Sequence, residues 1–243
     1  MVFPPEHAGP GNKIMVVVAH PDDAEFMCSG SIAKWTREGR EAVYVLVTSG
    51  DKGSPDPSVV PAELAVQREQ EQRNVCAILG VAAVEFLRYE DGTVQNTMDL
   101  RKDISRMIRK HRPSAVITED PTVRWSGNYV NHPDHRATGD ATLDAVFPSA
   151  RDYHMFPDLV LNEGLQPHIT PHLYLGTFGG PADVCVDITE TMDTKLQALK
   201  AHKSQVPQDS PAFDESIREM ARTTGQAHGM LHAESFKYFF LGE

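Results

Sequence analysis

The chain has 243 residues, with 23 Lys and Arg against 34 Asp and Glu and a formal net charge of −11. At roughly 100–200 residues per domain, this length supports a single domain, residues 1–243, with a full hydrophobic core. Hydrophobic residues at 40% and charged residues at 23% are ordinary globular usage and exclude a disordered chain. The acidic balance, with a pI near 5.4, excludes a partner held by bulk phosphate charge, so no nucleic acid is expected. The longest apolar runs, residues 14–19 and 42–47, fall far short of the ~20 residues of a bilayer span, so no integral membrane segment is expected. The proline-bearing start carries no apolar signal core. Cys28, Cys76 and Cys185 form no C-x-x-C pair, which suggests free thiols in a reducing, cytoplasmic setting.

In chain order, residues 13–19 form a continuous β-branched apolar run, as expected of a strand covered on both faces. Ser29-Gly30-Ser31 leads into a helix at 32–38, stopped by Gly39. A second buried strand is expected at 42–48, a long helix at 62–79 closed by Gly80, and a short strand at 84–87. Leu100, Ile104, Met107 and Ile108 share one helical face, and that helix must stop before Pro113. A fourth strand follows at 114–118. This β-α alternation predicts an α/β fold with a Rossmann-like, doubly wound, mostly parallel sheet of order 3-2-1-4-5. Pro133 marks the start of a helix within 131–146. Residues 147–181 read as proline-rich loop with a strand at 173–178, and 184–188 as another strand. Asp187 and Glu190 have capping-box spacing before a helix carrying Met192, Leu196 and Leu199. A last helix after Pro211 and a packing tail complete an irregular C-terminal part.

His-Pro-Asp occurs twice, at His20-Pro21-Asp22-Asp23 and at His132-Pro133-Asp134-His135. The first follows strand one and the second follows strand four. In the expected sheet these strands flank the topological switch point, where ligands bind outside the carboxyl ends. The two clusters should therefore face each other. Their residue types suit a divalent metal, since a catalytic zinc commonly takes three ligands from His and Asp/Glu and leaves a position for water. His20 and Asp23 on one tight turn and His135 from across the crevice would supply that set. Asp22 lies beside it, placed to take a proton from water. His132 would face a developing oxyanion, with Asp134 orienting its ring. A non-haem iron(II) oxygenase uses the same two-His, one-carboxylate set and stays open, as does a non-catalytic metal-binding protein. The turn after strand one lacks Gly-x-Gly-x-x-Gly, and no Walker motif or nucleophile elbow is present.

At these residues the chain resembles the LmbE-like, or PIG-L, superfamily of zinc-dependent deacetylases. The likeness is carried by residues 19–25 (AHPDDAE) and 132–137 (HPDHRA) and extends through Thr48-Ser49-Gly50, Arg68, Leu79-Gly80-Val81, Asp91-Gly92 and residues 198–205 (ALKAHKSQ). The resemblance implies a Zn2+-dependent hydrolase that removes an acetyl or related acyl group from a small-molecule N-acyl amino sugar or its conjugate. It implies His20, Asp23 and His135 as zinc ligands, Asp22 as general base and His132 as oxyanion stabiliser and proton donor to the leaving amine. It implies Arg68 and Asp91 as sugar-binding residues, a homo-oligomer that can be a hexamer, and a C-terminal residue near the site, for which His232 or His228 is the candidate. His202 reads as structural. Residues 54–61, 122–129 and 147–181 should rim the crevice and name no substrate; Trp125 and Tyr129 have the shape either to stack on a sugar ring or to pack their loop.

Overall fold

The computed structural model describes residues 12–177 and 182–242. Chain order is β1 (Lys13–Val18), α1 (Asp23–Arg37), β2 (Glu41–Thr48), α2 (Pro61–Leu79), β3 (Ala83–Tyr89), α3 (Met98–His111), β4 (Ala115–Glu119), β5 (Trp125–Ser126), β6 (Tyr129–Val130), α4 (Pro133–Asp144), α5 (Pro157–Leu161), β7 (His172–Gly176), β8 (Val184–Asp187), α6 (Met192–Ala201), α7 (Pro211–Gln226) and β9 (Ala233–Phe240). Seven strands form one sheet of order β3-β2-β1-β4-β7-β9-β8, and β5 with β6 forms a separate ribbon.

The run β3-β2-β1-β4-β7 is parallel throughout. This is the expected 3-2-1-4-5 order, with β7 as the fifth strand of the sheet. The run of apolar residues in β1 divides between two faces because successive side chains alternate. Ile14, Val16 and Val18 pack with Ile32, Trp35 and Leu199 on one side. Met15 and Val17 pack with Leu100, Ile104 and Ala141 on the other. Each fully buried aliphatic side chain of this kind contributes roughly 1.5–3 kcal/mol, which makes β1 the anchor of both layers.

The structure departs from the sequence expectations in four places. Helix α1 begins at Asp23, so Gly30 and Ser31 lie inside it. Gly30 is there because a Cβ would come within 2.8 Å of Ile188 Cδ1. The Asp187–Glu190 capping box does not form; Asp187 Oδ1 instead accepts from the backbone N and hydroxyl of Thr189. Residues 157–161 form the short helix α5. The tail is strand β9, antiparallel to both β7 and β8. Its mixed run of polar and aromatic residues hid a strand whose first half is buried on both faces. The strand expected over 173–178 is β7, and its last position lies outside the described residues. No helix among the described residues is long and apolar enough to cross a membrane.

Candidate metal centre and catalytic cleft

The site lies where β1 and β4 part company, β1 connecting towards β2 and β4 towards β7. His20 follows the end of β1, and Asp22 caps the start of α1 with φ of 104°. That left-handed backbone costs an aspartate about 1–3 kcal/mol and persists only where neighbours hold it. Here they do: Arg68 Nη2 donates to Pro21 O at 2.5 Å and sits 3.3 Å from Asp22 Oδ2. The Asp22 backbone N–H reaches Gln72 Oε1 at 3.4 Å. Arg68 and Gln72 are one turn apart on α2 and so share a face. The Asp22 side chain makes no helix cap, which leaves its carboxylate to other work.

From the other cluster, His132 caps α4 and His135 stands in its first turn. The rings of His20, His132 and His135 lie 4.9, 5.2 and 5.3 Å apart, centroid to centroid. The two His-Pro-Asp segments therefore do face each other. Asp23 bridges them, with Oδ2 at 3.2 Å from His20 Nδ1 and Oδ1 at 3.1 Å from His135 Nε2. Both imidazoles are braced from behind. His20 Nε2 is 3.0 Å from Asp91 Oδ1, and His135 Nδ1 is 3.0 Å from Asn131 Oδ1. These bonds orient the rings with His20 Nδ1 and His135 Nε2 towards Asp23.

Electrostatics at this point favour positive charge. Burial works against a cation at His20, but the charge of Asp23, with hydrogen bonds that the ring donates to Asp134, Asp23 and Asp91, outweighs it and pushes the ring up to about 12. At His135 burial is again outweighed, by Asp23 and Glu119, raising it to about 9. Asp23 is held well below the usual carboxylate range, its burial overcome by both imidazoles. Asp22 goes the other way, to about 7, because burial and the adjacent Asp23 oppose its charge more than Arg68 favours it. Two nitrogens, one carboxylate and an environment that demands a cation fit a divalent metal ion. Among the described residues three sets of side chains have ligand atoms within 4.8 Å of one another: His20/His132/His135, His20/Asp91/Asp134 and Asp23/Glu119/His135; the expected trio of His20, Asp23 and His135 shares members with each but is not itself one of them.

Other expected site residues are placed differently. Asp134 does not orient the His132 ring through its carboxylate. That carboxylate is fully buried, accepts from the backbone N–H of Gly92 and Val94, and lies 3.4 Å from His20 Nε2. The backbone N–H of Asp134 donates to His132 Nδ1 instead, at 3.2 Å. This bond places the His132 proton on Nε2, while burial and the nearby His20 lower its basicity. Arg68 is buried, with Nη1 donating to Gly50 O at 2.8 Å. Its guanidinium is thus committed to two loops and Asp22. Asp91 braces His20 and accepts from the Lys52 backbone N–H at 2.8 Å. His232 lies at the start of β9, where its backbone N–H donates to Thr189 Oγ1. Among the described residues neither of its ring nitrogens has a hydrogen-bond partner, and it is not brought to the cluster around Asp23.

Two participants escaped sequence reasoning. Asn131 orients His135, and Glu119, at the end of β4, has Oε1 3.6 Å from His135 Nδ1. Burial and Asp23 raise Glu119 to about 8. An acid closing a buried strand at the switch point was the available signal for Glu119. Asp23, Glu119 and His135 open onto a cavity of about 820 Å³.

Comparison with known proteins agrees with this geometry. The family model for PIG-L, GlcNAc-PI de-N-acetylase, matches residues 15–146. Diacetylchitobiose deacetylase of Thermococcus kodakarensis is 33% identical over 227 residues, 93% of this chain and 82% of that protein. A solved structure of N,N'-diacetylchitobiose deacetylase from Pyrococcus horikoshii, complexed with its inhibitor, aligns with a TM-score of 0.85 at 30% identity, over 94% of this chain and 84% of that one. A 1D-myo-inositol 2-acetamido-2-deoxy-alpha-D-glucopyranoside deacetylase of Saccharopolyspora erythraea is 27% identical over 244 residues, covering 80% of this chain and 78% of that protein. On the family match and on one-third identity along nearly its whole length, the chain belongs to the PIG-L family, GlcNAc-PI de-N-acetylase, and is an N-deacetylase.

Proposed function

We propose that this protein is a zinc-dependent hydrolase that removes the N-acetyl group from an amino-sugar conjugate, with His20, Asp23 and His135 as metal ligands and Asp22 as general base. The observation that carries this is Asp23 standing between two imidazoles from distant segments, each braced on its far nitrogen. A set of two histidines, one carboxylate and no thiolate suits zinc with room for substrate. When bound, the metal supplies a Lewis acid that polarises the amide carbonyl and eases ionisation of water.

The chain's own groups do the rest. Asp22, held by Arg68 and Gln72, takes the proton of the attacking water. His132, whose Nδ1 is occupied by the Asp134 N–H, offers Nε2–H to the oxyanion of the tetrahedral intermediate. As the C–N bond breaks, the proton gained by Asp22 passes to the departing nitrogen, leaving acetate and a free amine. The names of the relatives, which act on diacetylchitobiose or on an inositol glucosaminide, support an N-acetylglucosamine-type ring as the reacting part. Family membership favours hydrolysis over the oxygenase chemistry that the same ligand set permits. One sheet builds the whole site, which supports a single catalytic domain. Cys28, Cys76 and Cys185 are free, in keeping with a cytoplasmic enzyme, and a homo-oligomer is part of the same reading.

The test pairs metal content with amine release from N-acetylglucosamine and its glycosides. Wild type should carry about one zinc per chain and release amine. Asp22→Asn should keep the metal and lose about 10²–10⁴ in turnover, and His132→Ala should keep it and lose about 10²–10³. His135→Ala should lose the metal. A metal-loaded wild type that releases no amine from any N-acetyl amino sugar would overturn the proposal.

A further inference from the structure

Lys195 on α6 and Glu234 on β9 form an ion pair outside the catalytic scheme. Their charged ends are 2.7 Å apart, and the residues are only 4% and 6% exposed. Replacing a buried pair by well-packed apolar residues is often neutral or stabilising, so stability alone does not account for it. Its position does. The ammonium uses all three of its donors, one on Glu234 Oε1, one on Glu25 O at 2.8 Å and one on Phe26 O at 2.8 Å. The carboxylate accepts from the Gly30 N–H at 3.0 Å and from the Ser31 N–H at 2.7 Å. All four backbone groups belong to α1, the helix that begins with Asp23.

In a regular helix the N–H of residue i meets the C=O of residue i−4, so Gly30 N–H and Phe26 O are natural partners. Here the ion pair engages both, its anion on the donor and its cation on the acceptor. Side chains that enter this ladder redirect a helix. Two elements thus grip α1: α6 holds the first turn by its carbonyls, and β9 holds the following residues by their N–H groups. Sliding α1 along its axis would break all four bonds. β9 lies beside β7 and β7 beside β4, and the chain after β4 leads to His132 and His135. The pair therefore references the start of α1 to the sheet that carries the opposite side of the cleft. Asp23 stands 3.2 and 3.1 Å from its two imidazoles, a fit that a shift of about 1 Å would destroy.

We propose that Lys195 and Glu234 are positioning residues: inserted into α1, they hold its first turn where Asp23 reaches both His20 and His135 and Asp22 faces the reacting water. This rests on the metal-centre reading above; hydrogen exchange tests the insertion without it.

The experiment uses two variants of the full chain. Glu234→Gln keeps the shape and one acceptor oxygen. Lys195→Met with Glu234→Leu removes both charges and frees the α1 backbone to close its own ladder. Zinc affinity is read by competition with a chromophoric chelator, and kcat and KM by amine release from an N-acetylglucosamine glycoside. The double variant should melt close to wild type. Its Kd for zinc should rise about 10–100-fold, the scale of losing a residue behind a metal ligand. With zinc saturating, kcat should fall about tenfold or more while KM changes by less than about twofold. Glu234→Gln should move in the same direction by a smaller factor. A purely structural pair would change the melting temperature alone, so variants that bind zinc and turn over like wild type overturn the proposal. If the double variant does not fold, Glu234→Gln decides on the same readings. If wild type takes up no zinc, the metal reading fails, and exchange of the Glu25 and Phe26 amides, which bond to Asp22 O, decides the insertion. Those amides should exchange about tenfold faster in Glu234→Gln than in wild type; equal rates overturn it.

Discussion

Asp22 and Asp23 are neighbours in the chain and meet opposite surroundings. Asp23 lies between His20 and His135, which hold it ionised, while burial and Asp23 itself raise Asp22 to about 7. Two adjacent carboxylates pushed apart in this way can take different roles. Arg68 belongs to the same unit, since it touches Asp22, Pro21 O and Gly50 O at once. We therefore expect Arg68→Met to act as the loss of a positioning residue. It should keep its metal and lose about 10²-fold in kcat with little change in KM. Steady-state kinetics on one substrate decide this: a raised KM with kcat intact would restore Arg68 as a sugar-holding residue. The His-Pro-Asp residues were legible because each carries its chemistry in its own side chain. The roles of Arg68, Asp91 and Asp134 were not, because an arginine or aspartate near a site can face substrate or brace another residue. The carbonyls of Pro21 and Gly50 show which for Arg68, and the backbone N–H groups of Lys52, Gly92 and Val94 show it for the two aspartates.

At the scale of elements, α1, α2 and α6 are joined by buried polar groups. Glu25 on α1 and His202 at the end of α6 are both fully buried and 2.8 Å apart, and Gln72 of α2 also donates to Glu25. Residues 19–25 and 198–205, which both carry the resemblance, thus meet in one buried contact. Burial lowers the basicity of His202, but the hydrogen bond and charge of Glu25 raise it further, to a net increase over 6.5. A raised native pKa means that the proton stabilises the fold fully below about 6.5 and that this gain is lost as pH climbs through the native value. Denaturant midpoints of wild type should therefore fall as pH rises above about 6.5, and this component should vanish in His202→Gln. His202→Ala should cost about 3–5 kcal/mol, since it strands a buried carboxylate. Equal midpoint losses in wild type and His202→Gln would show that the pair carries no such linkage. The sequence marked His202 as structural, yet its partner lies across two helices and no local pattern names it.

For the whole molecule, the sheet order decides where chemistry can happen. β1 lies between β2 and β4, so the segments after β1 and β4 meet at one crevice although more than a hundred residues of chain separate them. A metal that binds only the folded chain adds to its stability, about 2.7 kcal/mol when free metal is at 100 times its Kd. Chelation should thus lower the thermal midpoint by roughly 5–10 °C for a chain of this size. Scanning calorimetry with and without chelator checks this, and identical midpoints would argue against a site built by the fold.

By itself the sequence determined the parallel β-α half, both His-Pro-Asp clusters and the prospect of a shared cation. Apolar runs, glycine stops and paired motifs are written in consecutive residues, and neighbouring residues set them. Tertiary structure alone decided that Asp23 bridges two imidazoles, that Asp91 and Asp134 brace His20, that α1 reaches back to Asp23, and that β9 enters the sheet between β7 and β8. Those outcomes depend on hydrogen bonds and packing between segments far apart in the chain, which exist only after the sheet has closed.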